Sequence, residues 1–435
     1  MMEWIDLVPL IMSGILYLLG MPMVYSLLGP AFFYFMYLDP SKELWVILQN
    51  ALKPIHTSLI ITIPLFIMAG SIMSHSGVNE RMLRFAEVLA GHKKGALAQI
   101  NVVLSMLLGG CSGSANSDCA MQSRLLVPEM ERKGYSKAFS AAITAASSAV
   151  TPVIPPGVNL MVYALIAGIS LERLFAAGYI PGALMALCMM LVVSVISGRR
   201  DYPALYETRA ETGEILRRGL RCLWGPIFPI GFIIGVRFGI FTPAEGGALA
   251  VLYCIFVGKL IYGQLSLKRY MIPVLLESIS GTAHVMLLLL AVNVFEEYLR
   301  AIQVFDFIET ALLSVSTGKY VFLLIANLCF LIMGMFIEGG ISLMLLTPLF
   351  LPVAKQLGID PVHFGLVAVV NVMIGGITPP FGSLMFTTCA ITRCPTLEFL
   401  KEVWPFILGL LAVLLLCIFC PALVTAIPAL LWGNV

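Results

Sequence analysis

An all-α polytopic membrane protein built from two inverted repeats is the fold class that this sequence predicts, and three observations predict it. The 435 residues are 60% hydrophobic and 11% charged, with a mean hydropathy of +0.97, far too apolar for a soluble domain. Two proline clusters, Thr151–Gly157 (TPVIPPG) and Thr378–Gly382 (TPPFG), interrupt apolar sequence at corresponding places in the two halves. Each follows a hydrophobic stretch broken by small and polar residues, Gly109–Asp118 (GGCSGSANSD) in the first half and Gly334–Ser342 (GMFIEGGIS) in the second.

Apolar runs near the length of about 20 residues that crosses a bilayer lie at 7–20, 22–38, 57–77, 174–197, 225–241, 243–262, 276–295 and 403–424. The segment before the first run, Met1–Asp6, lacks the basic start of a cleavable signal, so that run is read as a retained helix. Matching landmarks recur at nearly constant offsets: 221 for Pro22 and Pro243, 225 for Gly109 and Gly334, 227 for Thr151 and Thr378. The first repeat is therefore placed at 1–198 and the second at 224–435, with a polar linker at 199–223. Six arginines put the linker in the cytoplasm by the positive-inside rule. Counting crossings from there leaves 18 of the 26 Lys and Arg on that side, provided that two segments enter the membrane and return. These are re-entrant hairpins at about 95–130, entering from the cytoplasm, and at about 320–355, entering from outside. Arms of about ten residues would reach about 15 Å, half of a roughly 30 Å core, so the tips would meet near the midplane. Broken helices follow at about 136–168 and 361–391, and both termini fall outside. Segments 43–52, 80–89 and 304–315 mix charge with apolar residues at helical spacing and read as interfacial helices.

Irregular backbone at membrane depth is tolerated only where protein covers it or a cavity hydrates it, so duplicated interruptions imply a binding site at the repeat interface, the layout of a secondary transporter. At the first tip, Gly113 lets the chain turn, while Ser112, Ser114, Asn116 and Ser117 add uncharged oxygens that suit Na⁺. Prolines 152, 155 and 156 remove amide donors and leave the carbonyls of residues such as Ala149, Val150 and Thr151 without intrahelical partners. Thr378 repeats this in the second half. Asp118 and Glu338 are the acids nearest the tips, fitted to a cation, to substrate hydroxyls or to a proton. Asn371, which aligns with Thr144, and Asn159, after the first break, are candidate ion or substrate contacts.

These strings, with Gly358–Gly365 (GIDPVHFG), resemble the large membrane (M) subunit of tripartite ATP-independent periplasmic (TRAP) transporters over essentially the whole chain. The resemblance implies an elevator-type ion-transporter fold and a Na⁺-coupled importer of organic acids in the bacterial inner membrane. It implies three partners: a small four-helix membrane (Q) subunit, a periplasmic substrate-binding protein, and the acid, such as a C4-dicarboxylate, sialic acid or sugar acid. Carried over by position, one Na⁺ lies between Ser112, Gly113, Ser114 and Thr151, and another between Gly339, Gly340 and Thr378. Substrate lies near Ser112, Ser114, Asn159 and Glu338.

Other classes fit less well. A net charge of +2 gives no basis for nucleic-acid binding, and the ten cysteines and five histidines show no metal spacing. No organic cofactor is expected. Lone His284 reads as a packing histidine. Gly110–Gly113 (GCSG) resembles the serine motif of rhomboid intramembrane proteases, but that reading explains neither the proline breaks nor the duplication. A self-sufficient Na⁺ or H⁺ symporter for dicarboxylates shares the hairpin architecture and is the nearer alternative.

Overall fold

The computed structural model describes residues 4–40, 43–52, 58–111, 113–315 and 318–433, and among them it is helical with no strands. The first half runs α1 (Val8–Leu18), α2 (Met23–Phe33), α3 (Leu44–Leu52), α4 (Ser58–Ser74) and α5 (Val78–Ala90). It continues through α6 (Ala96–Gly109), α7 (Ala115–Leu125), α8 (Val127–Arg132), α9 (Lys137–Ser148), α10 (Val158–Ala167) and α11 (Leu171–Arg200). The second half comprises α12 (Thr212–Cys222), α13 (Ile227–Arg237), α14 (Pro243–Phe256), α15 (Leu267–Ala301) and α16 (Val304–Val315). It closes with α17 (Lys319–Phe336), α18 (Gly339–Gln356), α19 (Pro361–Gly375), α20 (Ser383–Thr392), α21 (Thr396–Phe419) and α22 (Ala422–Trp432). One order of elements thus occurs twice, in α4–α11 and in α15–α21: a helix, a shorter one, a hairpin, a proline-broken helix and a long helix.

Local sequence sets the helix starts. Ser136 accepts a hydrogen bond from the Phe139 amide (3.2 Å), Ser170 from that of Arg173 (3.2 Å), and Asp360 from that of Val362 (2.7 Å) with Pro361 at the first helical position, each satisfying an amide the helix cannot. Thr242 and Glu245 form a capping box at α14.

The helices sort into a frame and an inner body. In the frame α4 packs on α14 and α15, and α15 carries α2 and α3. In the inner body the hairpins pack against their own broken helices, α6 on α9 and α17 on α19, and also across the halves, α7 on α20 and α18 on α10. A large apolar core runs through the inner body and into the frame, with edge-on aromatic contacts such as Phe330 against Phe364 within the body and Phe66 of α4 against Phe232 of α13 outside it. A smaller core joins α2, α3 and α15 to Val162 of α10 and to Ile341 and Met344 of α18, where frame meets body.

Among the described residues five helices are long and apolar enough to cross a membrane, or seven if two bent pairs count as single spans: α4 with α5, bent by 67°, and α12 with α13, bent by 58°. The expected helices at 43–52, 80–89 and 304–315 are present as α3, α5 and α16. Several expectations need correction. The hairpin arms are longer than ten residues: α6 has 14, and α17 and α18 have 18 each, or about 27 Å at 1.5 Å per residue. Pro348 and Pro352 lie inside α18. The span expected at 276–295 is a 35-residue helix, because charges such as Lys268 and Glu296 depress hydropathy without interrupting backbone hydrogen bonding. Half of the polar linker is helical: α12 packs on α5 through Gly219, which lies against Phe85, and through Arg218, which donates to the Arg84 carbonyl at 3.2 Å, while Leu216 and Leu220 are exposed. The run at 403–424 is two helices, α21 and α22, parted near Pro421.

Candidate functional site

The turn between α6 and α7 is the first tip. Gly113 adopts φ +59°, and a methyl group there would lie 2.2 Å from the Pro156 carbonyl oxygen, so only glycine fits. Its own carbonyl accepts the Val158 amide at 3.3 Å, tying the tip to the far side of the first break. Ser114 caps α7 by accepting the Ser117 amide at 3.4 Å. Ser112 lies outside the described residues.

Behind this tip is a buried polar cluster. Asp118, 2% exposed, receives three donors: Gln122 Nε2 at 2.6 Å on Oδ1, and Ser105 Oγ at 2.9 Å and Thr151 Oγ1 at 2.7 Å on Oδ2. Its partners are therefore side chains of α6, α7 and the first break. Gln122 Oε1 beside it is buried and has no hydrogen-bond partner among the described residues. Of the three carbonyls expected to lack partners, that of Val150 accepts the Val153 amide at 3.1 Å; those of Ala149 and Thr151 accept no backbone amide among the described residues.

The second tip is built differently. Only Ile337 and Glu338 separate α17 from α18. The hairpin is fastened to the second break by backbone: Met335 carbonyl accepts the Phe381 amide at 3.1 Å, and a methyl group on Gly375 would come within 2.6 Å of Gly334. Thr378 is buried, and its hydroxyl donates to the Ile374 carbonyl one turn earlier at 2.6 Å. Both breaks contain a cis Pro–Pro bond, at 155–156 and 379–380.

A cavity of about 370 Å³ opens between the two tips, the two broken helices, α4 and α15. Of the expected residues, Gly113, Ser114, Asn159, Glu338 and Gly339 line it. Gly340 sits beside Asn159, whose Oδ1 would be 3.4 Å from a methyl group there. Asp118, Thr151, Thr378 and Asn371 are buried away from it. Asn371 donates instead to the Asn327 side-chain oxygen at 2.8 Å, joining α19 to α17. Asn101 makes the corresponding link in the first half, donating to Thr144 Oγ1 at 2.7 Å.

The frame contributes three groups to the cavity that the sequence reading passed over or misplaced. Ser71 of α4 donates to Glu277 of α15 at 2.5 Å. His284, read as a packing residue, faces the cavity, with Nε2 3.6 Å from Glu338 Oε2. Glu277 and His284 lie seven residues apart, two turns of α15, and so share the face turned to the tips. That i, i+7 spacing beside Gly281 was the available signal. Glu338 Oε1 also accepts from Asn116 Nδ2 at 3.5 Å, so the two tips touch through it. Among the described residues no group of His, Cys, Asp and Glu is arranged to hold a metal ion. The cavity thus offers hydroxyls, amides, two carboxylates and one imidazole.

Comparison with known proteins gives a consistent picture. Residues 10–423 match the family model described as "Tripartite ATP-independent periplasmic transporter, DctM component". The chain is 34% identical over 415 residues to the sialic acid TRAP transporter large permease protein SiaM of Vibrio cholerae, covering 95% of this chain and 96% of that one. It is 33% identical over 381 residues to the C4-dicarboxylate TRAP transporter large permease protein DctM of Pseudomonas aeruginosa, covering 87% and 88%. Among solved structures, the YdaH transporter of Alcanivorax borkumensis superposes with a TM-score of 0.62 over 88% of this chain and 89% of that one, at 15% identity, a likeness of fold.

Proposed function

This chain belongs to the DctM component family of tripartite ATP-independent periplasmic transporters, and on that premise we propose that it carries an organic acid inward across the bacterial inner membrane, driven by Na⁺. It is a multi-pass transporter permease subunit and not an enzyme. Its proposed partners are a small membrane subunit and a periplasmic binding protein that delivers the acid. Both termini face the periplasm and the arginine-rich linker faces the cytoplasm. The cavity reaches Ser74 and Glu277, toward the linker-side ends of α4 and α15.

The observation that carries this reading is the cavity between both tips and the frame, lined by Ser114, Asn159 and Glu338. A cavity with two carboxylates admits an anion only if cations come with it, because unpaired charge in a low-dielectric site is costly. Na⁺ supplies them. One ion is proposed near Gly113, Ser114 and Thr151, where the partnerless Gln122 Oε1 supports a cation beside Asp118; the other is near Gly339, Gly340 and Thr378. The tips and broken helices move as one body against α4, α14 and α15, as an elevator. At least two Na⁺ must accompany a monocarboxylate for the membrane potential, about 2.3 kcal/mol per charge per 100 mV, to assist.

The test is uptake of radiolabelled N-acetylneuraminate and succinate, the acid classes of the two relatives, into proteoliposomes holding the chain with its small subunit. Uptake should require Na⁺ over choline, rise with an inside-negative potential, and collapse when the binding protein is omitted. Uptake indifferent to Na⁺ and potential would sink the coupling. Uptake that persists without the binding protein would favour a self-sufficient symporter.

A further inference from the structure

Glu338 occupies an unusual position if the cavity is the solute site, the reading on which this inference rests. Its carboxylate is held between His284 of the frame, at 3.6 Å, and Asn116 of the first tip, at 3.5 Å. Both side chains of the ion pair reach open space, with 59% of His284 and 46% of Glu338 exposed. Among the described ionisable residues lining the cavity His284 is the one that can be cationic, whereas Glu277 and Glu338 are acids. A carboxylic acid entering the cavity therefore finds one basic donor, and Glu338 is already on it.

We propose that Glu338 is an internal stand-in for the carboxylate of the transported acid, which binds by taking His284, and with it Asn116, from Glu338. The geometry supports displacement. Contacts of 3.5–3.6 Å are well beyond the 2.7–2.9 Å of a tight charge-assisted bond, so the native pair holds Glu338 loosely and an incoming carboxylate can close to full hydrogen-bonding distance. An imidazole N–H and an amide N–H₂ on opposite sides of one carboxylate recognise the group itself, not the chain bearing it. Released, Glu338 is free to meet the co-transported cation or a hydroxyl of the solute. The exchange also carries information between the bodies: His284 belongs to the frame and Glu338 to the second tip, so occupancy by the acid removes a contact that ties tip to frame.

Competition and mere structural contact predict different signs. The chain with its small subunit, in nanodiscs with Na⁺ and no binding protein, is titrated with succinate and with N-acetylneuraminate while its unfolding temperature is followed. Glu338→Ala should lower the half-saturating concentration about three- to tenfold, because the acid no longer competes for its donors. His284→Ala should raise it about tenfold or more, the loss expected for a charge-assisted hydrogen bond. His284→Asn, which keeps an N–H donor, should fall between, and guards against a misfolded alanine variant. Glu338→Ala with unchanged or weakened binding would overturn the proposal while leaving the organic-acid reading intact. A wild-type protein that responds to neither acid would instead overturn the assignment of the cavity to these solutes.

Discussion

The two hairpin tips occupy matching places in the two halves, yet their acids live in opposite surroundings. Asp118 is buried and saturated by Gln122, Ser105 and Thr151. Glu338 stands at the cavity, where among the described residues its carboxylate meets Asn116 at 3.5 Å and His284 at 3.6 Å. The fastening differs in one respect: both tips are tied to their breaks by a backbone bond and a close approach at glycine, and the first adds side-chain bonds through Asp118. Duplicated architecture thus frees one copy of a feature for a new use once the other holds the fold. A carboxylate wrapped in three donors is a structural tie; one left half-exposed beside a histidine is available to a ligand.

The largest expected effect separates the two acids by stability. Asp118→Ala strands two hydroxyls and an amide at about 1 to 3 kcal/mol each, so it should cost about 3 kcal/mol or more and lower the unfolding temperature and the yield of folded protein. Glu338→Ala should change stability by about 0.5 kcal/mol or less, as for exposed ion pairs. Equal losses in the two variants would erase the contrast. A smaller effect separates the two threonines at the breaks. Thr151→Val removes a bond to a carboxylate linking α7 to the break and should cost about 1.5 to 3 kcal/mol. Thr378→Val loses only a local bond to the carbonyl four residues earlier, and should cost about 1 kcal/mol or less. Under the proposed ion sites both variants should raise the Na⁺ concentration for half-maximal uptake; unchanged Na⁺ dependence in both would show that these hydroxyls serve packing alone.

Much of the fold was legible because membranes enforce simple rules. Apolar run length gave most spans, and the proline clusters at Thr151 and Thr378 marked breaks that the helices respect. Helix ends were less legible: α15 outruns its hydropathy window, and α12 was hidden in an arginine-rich stretch where amphipathic spacing, not mean polarity, carries the signal. At the site, residues within the motifs, such as Ser114, Asn159 and Glu338, were found at the cavity. Glu277 and His284 were not identified, because they come from a long frame helix with no motif of its own, and only folding brings that face opposite the tips. Asp118, Thr151 and Thr378 stood out in the sequence as candidate ion contacts, but sequence alone could not show that their oxygens turn inward to other side chains or to their own helix.

Movement of the inner body against the frame is the central claim, and one cross-link tests it directly. Gly225, in the turn between α12 and α13, the latter packed on frame helix α14, lies beside the first tip: a methyl group there would sit 3.1 Å from Cys111 Sγ, close to the roughly 3 Å between a β-carbon and the opposite sulfur of a disulfide. The flexible end of Met82 must give way, and Val78 Cγ1, 3.2 Å off, must shift slightly. Gly225→Cys is made with Cys111 retained and the other nine native cysteines replaced. The elevator account predicts that oxidation halts Na⁺-driven uptake in proteoliposomes and that a reductant restores it, with the background lacking Gly225→Cys unaffected. Full uptake by quantitatively cross-linked protein would contradict the account, because the first tip would then be shown to work without leaving the frame.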